Sequence, residues 1–187
     1  MSEEMCQAIA FEAAHRSARI NPHELWAALE AVCDISPSVV VDLWSEHAVW
    51  RAWWSIGAHV IGVAPSQGRW AGFDRLPSSV VEIVADPRER ATRQRVTDQL
   101  GGDMADVLVL GGPESEDGVR ANFQAYAPLV RPGGLVLVHH IANEQYPGIG
   151  RFWSGLVGPN RTEMIGAEAP DGYGIVTIPR RETADHG

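Results

Sequence analysis

The spacing of apolar residues changes repeatedly along this chain, and each change marks an element. Val119, Phe123, Tyr126 and Val130 recur at intervals of three and four, which puts them on one face of a helix. Pro132, Gly133 and Gly134 are expected to stop that helix, and Leu135 to Val138 then forms an apolar run of strand length. Upstream, Asn21 and Pro22 open a helix as N-cap and first helical residue, with Glu24 placed as in a capping box and Leu25, Trp26, Leu29 and Val32 on its apolar face. Further strands are expected from Ser38 to Val41, His59 to Val63, Val80 to Val84 and Asp106 to Leu110, the last apolar throughout as buried parallel strands are. Helices are expected from His47 to Ile56, from Pro87 to Leu100 and from Ile149 to Leu156. Thr162 to Ala167 and Gly174 to Ile178 are too close together for a helix between them, so they form an antiparallel hairpin at the sheet edge.

Strands and helices alternating at these lengths predict an α/β fold with a doubly wound, mostly parallel sheet. The expected division is an N-terminal helical segment, 1–36, packed on an α/β domain, 37–179, with a flexible tail, 180–187. His139 and His140 fall where a parallel strand leaves the sheet, which is where such folds place their ligands.

Composition narrows the classes of partner. The net charge is −9 and every cation is an arginine, a balance that argues against a nucleic-acid partner. No apolar run approaches the length of a membrane span, and the first residues are acidic where a secretory signal is basic. With only Cys6 and Cys33, a disulfide framework is not expected, and a cytoplasmic location is the simpler reading.

Two segments carry a resemblance: 126–134, reading YAPLVRPGG, and 147–153, reading PGIGRFW. With the order of elements, they make Val39 to Ile178 resemble a class I S-adenosylmethionine (SAM)-dependent methyltransferase. The nearest group is the cephalosporin-hydroxylase and rhamnosyl O-methyltransferase group. The resemblance implies a Rossmann-like fold, SAM as cofactor, and transfer to a sugar or natural-product hydroxyl.

At the functional positions the chain departs from that pattern. Where the resemblance implies an acid and a glycine-rich turn after the first strand, Asp42 keeps the acid, but Trp44 and Glu46 stand where bare backbone is needed. The second strand runs into Ala64 and Pro65 instead of a ribose-binding acid. Asp86 is either the implied adenine-side acid or an N-cap ahead of Pro87, and the cap is the more economical reading. Gly111-Gly112-Pro113-Glu114 and His139-His140 replace the carboxylates of a metal site. Because neighbours on a strand face opposite ways, the two histidines are not expected to share an ion, and no metal is expected. His139 or His140 could serve as a base, or be a hydrogen-bonded strand end.

Trp50, Trp53 and Trp54 share a helix face and read as core, whereas Trp44 and Trp70 fall in loops near the cleft as pocket plug or interface. Arg88, Arg90, Arg93 and Arg95 read as a solvated face. The function expected from these residues is a degenerate methyltransferase-like protein acting as a binding or assembly module, with no cofactor and with a protein partner or self-association. The alternative is an active O-methyltransferase that uses SAM and a histidine base.

Overall fold

The computed structural model describes residues 1–17, 20–45, 47–65, 76–158 and 160–180. The β-branched runs become five parallel strands: β1 (Val39–Leu43), β2 (His59–Ala64), β3 (Val80–Val84), β4 (Ala105–Leu110) and β5 (Val130–His139). The hairpin β6 (Arg161–Gly166) and β7 (Ala169–Thr177) adds antiparallel through β7 to β5, giving the order β3-β2-β1-β4-β5-β7-β6. The chain winds outward from β1 to β3 and then crosses to β4 on the other side of β1. That reversal makes the gap between β1 and β4 the switch point where open sheets bind ligands.

Alternation along the strands divides the core into two layers. Val40, Val60, Val107, Val109, Leu135 and Leu137 face one side and pack with helices α1 (Glu3–Arg16), α2 (Pro22–Cys33) and α3 (His47–Ser55). Val41, Leu43, Ile61, Leu108, Val136 and Val138 face the other, under α4 (Arg90–Leu100), α5 (Glu116–Tyr126) and α6 (Pro147–Gly155). Trp50 and Trp53 on α3 are fully buried and Trp54 is half-buried, as the helix-face reading expects. Among the described residues no helix is long and apolar enough to cross a membrane. Cys6 and Cys33 are free thiols whose Sγ atoms lie 3.4 Å apart between α1 and α2.

Three local expectations are corrected. α5 ends at Tyr126, because Pro128 cannot donate an amide hydrogen bond; a 3₁₀ turn (Ala127–Leu129) follows, and Val130 belongs to β5. Pro132 to Gly134 is no terminator but a bulge inside that longer strand, where a Cβ on Gly134 would stand 2.6 Å from the Asp106 carbonyl oxygen. α4 begins at Arg90 rather than Pro87, and Asp86 is not its cap. Its Oδ1 accepts from Arg88 N (2.9 Å) and its carbonyl from Glu89 N (3.1 Å), which closes a turn and delays the helix.

Candidate functional site

At the carboxyl edge of the sheet a cavity of about 1100 Å³ opens beside the ends of β1, β4 and β5. Asn21, the cap of α2, and Glu24 within it line its wall, with His139 at the end of β5, His140 just after it, and Asp171 and Tyr173 near the start of β7. Trp44, Gly111 and Glu114 form the side towards the switch point, and Tyr146 closes the side towards α6.

The strongest polar feature in this wall is Glu24. Asn21 caps α2 as expected, its Oδ1 accepting from His23 N (2.9 Å) and Glu24 N (3.4 Å), but Glu24 does not close a capping box. Its carboxylate instead reaches across the molecule. Oε1 accepts from Asp171 N (2.8 Å) and Gly172 N (3.0 Å), and Oε2 lies 2.9 Å from His139 Nε2. Burial works to raise the Glu24 carboxyl, but the His139 hydrogen bond and charge and the two backbone donors outweigh it, holding the group below its ordinary pKa. An ionised acceptor at Oε2 requires a proton on His139 Nε2, so in the neutral ring Nδ1 is the acceptor.

His139 and His140 do not point to opposite faces. β5 ends at His139, and His140 takes a left-handed backbone (φ 65°), which swings its ring onto its neighbour. The two imidazoles stack with centroids 3.7 Å apart, Tyr173 stacks on the far side of His139 at 4.3 Å, and Tyr146 stands 5.0 Å from His140. Burial, and then the neighbouring His139, push the His140 pKa down to about 4, against the pull of Asp171. His140 Nδ1 lies 3.3 Å from Asp171 Oδ2, yet it is buried and out of line for a hydrogen bond. Burial drives the Tyr173 hydroxyl well above its ordinary range.

At the switch point the positions that the resemblance gives to bare backbone carry side chains. Trp44 adopts φ 77°, the left-handed backbone a glycine would favour, but carries an indole there. A Cβ on Gly112 would meet Trp44 Cγ at 3.2 Å, and one on Gly111 would meet Ser45 Oγ at 2.7 Å, so Trp44 and Ser45 lie directly on the end of β4. Asp42 is fully buried and faces inward: Oδ2 accepts from Trp53 Nε1 (2.8 Å) and Oδ1 from Ser45 N (3.1 Å). Burial raises its pKa to about 6. Asp86 pairs with the Arg88 guanidinium, which itself sits 6.0 Å from the Trp44 ring centroid. Neither Asp42 nor Asp86 lines the cavity. Glu46 and Trp70 lie outside the described residues. No group of three or more His, Cys, Asp or Glu side chains among the described residues is disposed to hold a metal ion.

Of the residues singled out from sequence, the structure brings Trp44, Glu114, His139 and His140 to one cavity. Glu24, Asp171, Tyr173 and Tyr146 were missed as members of the site. Glu24 carried a local signal, the position three residues after an N-cap, but that signal pointed to the wrong partner.

No protein-family profile matches the chain by sequence, and no curated protein does. Solved structures do match by shape. A Bacillus cereus O-methyltransferase in complex with SAH superposes with a TM-score of 0.56 at 12% identity, over 95% of this chain and 82% of that one. The TDP-rhamnose 3′-O-methyltransferase of calicheamicin biosynthesis, without ligand, gives 0.59 at 11% identity, over 81% and 77%. The MycE methyltransferase of mycinamycin biosynthesis, in complex with Mg, SAH and mycinamycin VI, gives 0.54 at 16% identity over 79% of this chain. The chain spans about 46% of the length of that enzyme. The fold is that of the class I SAM-dependent methyltransferases.

Proposed function

We propose that this protein binds a small molecule in the cavity beside Glu24 and His139 and has given up the methyl donor of its fold. One observation carries the reading: Trp44 and Ser45 occupy the end of β4, where the donor of a class I methyltransferase would need open backbone. The inward-facing Asp42 supports it, because a carboxylate committed to Trp53 Nε1 and Ser45 N is turned away from any ligand. The open volume runs from Ser45 and Gly111 past Trp44 towards α2 and β7, and it is large enough for a small-molecule ligand. Calorimetric titration with SAM tests the reading. The intact protein gives no binding heat, and Trp44→Gly, which clears the indole while suiting the left-handed backbone, is the variant most able to gain affinity. Micromolar SAM binding by the intact protein overturns it.

A second reading, an active O-methyltransferase on a sugar or natural-product hydroxyl, is favoured by the Glu24–His139 pair. A carboxylate that holds Nε2–H leaves Nδ1 able to take a proton from a hydroxyl. Methyl transfer that disappears in His139→Ala and persists in His140→Ala supports this reading. An absence of transfer to hydroxylated acceptors removes it.

A further inference from the structure

The chemistry of the cavity wall says what kind of ligand it takes, given the small-molecule reading above. Glu24, Glu114, Glu144 and Asp171 all line it, and among the described residues no arginine does. The chain has no lysine at all. Two imidazoles remain as possible cations. His140 is held neutral at ordinary pH by its burial beside His139. His139 Nε2 is already committed to the Glu24 carboxylate, one of whose oxygens serves it while the other takes two backbone donors. Among the described residues of this wall no cation compensates a phosphate or a carboxylate on a ligand, and bringing one in would set it against several like charges.

The same wall suits a donor. In its neutral form His139 presents Nδ1 as an acceptor, whereas His140 Nδ1 is buried 3.3 Å from Asp171 Oδ2 and out of a ligand's reach. Glu114 and Glu144 are exposed at the rim, where they add acceptors and attract positive charge. Trp44 and Tyr146 add aromatic rings to the lining, and such rings favour an organic cation over a neutral group of the same size. An acidic wall, aromatic surface and an imidazole acceptor with a fixed proton converge on one class of molecule.

We infer that the cavity binds a small organic amine, protonated at neutral pH and carrying further hydrogen-bond donors. The ammonium group is placed between the Asp171 and Glu144 carboxylates and the aromatic lining, with a hydroxyl or N–H donating to His139 Nδ1.

Calorimetry of the full chain with glucosamine, glucose and glucose 6-phosphate tests this, since the three share a ring and differ in charge. Glucosamine binds at least about tenfold more tightly than glucose, and glucose 6-phosphate is not bound. The advantage of glucosamine shrinks with added salt. The double variant Glu114→Gln/Glu144→Gln, altered only at exposed positions, melts as the intact protein does and loses most of that advantage. Equal binding of glucosamine and glucose overturns the inference, as does binding of the phosphate or an absence of glucosamine binding at millimolar concentration. Failure here is separable from failure of the proposed function. SAM binding that survives the double variant counts against the closed donor site, whereas the sugar series reads the charge preference of the cavity alone.

Discussion

Glu24 Oε2 and His139 Nε2 lie 2.9 Å apart although 115 residues separate them in the chain. The contact ties α2 to the end of β5, and the second oxygen of the same carboxylate ties α2 to the start of β7. The N-terminal helices are thereby fastened to the sheet at the cavity wall by one nearly inaccessible side chain, 3% exposed.

Glu24→Ala strands three donors, at Asp171 N, Gly172 N and His139 Nε2, in a buried setting. It costs ~2–4 kcal/mol in chemical denaturation. Glu24→Gln keeps one acceptor oxygen and costs roughly half as much. Equal stability of the alanine variant and the intact protein would show that this carboxylate fastens nothing.

Asp42 gives stability a distinctive pH dependence. Burial raises its carboxyl from 3.8 to about 6, so the folded chain holds this proton more tightly than the unfolded chain does. Its contribution is therefore complete below the unfolded value and is lost as pH rises through the folded one, a change of ~3 kcal/mol. Glu24 and Asp106 act with the opposite sign. Their lowered pKa values give stability that is present at neutral pH and lost on acidification. Denaturation of the intact protein and Asp42→Asn across this range separates the effects, because the descending component between the two Asp42 values is absent from the variant.

Two glycines are fixed by tryptophan rings laid on the sheet. A Cβ at Gly62 would stand 2.5 Å from Trp50 ring atoms, and one at Gly174 would stand 2.5 Å from Trp153. Both rings are buried and cannot move aside freely. Gly62→Ala and Gly174→Ala each lower stability by ~1–3 kcal/mol through overpacking, read as a fall in the denaturation midpoint. Gly101→Ala is the comparison, since a Cβ there meets nothing within 4 Å and only its φ of 62° is strained.

The sheet was legible because its information is local. Runs such as Asp106 to Leu110, the bracketing turns and the Asn21-Pro22 cap each declare an element within a few residues. The errors came where a distant partner decides. Glu24 fits a capping box, yet carbonyl-flanked amides 147 and 148 residues away claim its carboxylate. His139 and His140 fit strand alternation, yet the strand ends between them and a left-handed residue brings the rings together. Asp86 fits an N-cap, yet Arg88 holds it in a turn. That Trp44 and the cleft belong together was readable from its position after β1, but its seat on Gly112 depends on β4 lying alongside.

A crystal structure grown with millimolar SAH tests the proposed closure of the donor site most directly. The Trp44 indole is expected still seated against Gly112, Asp42 still accepting from Trp53 Nε1, and no nucleoside density at the ends of β1 and β4. SAH resolved there, with the indole displaced, would contradict it.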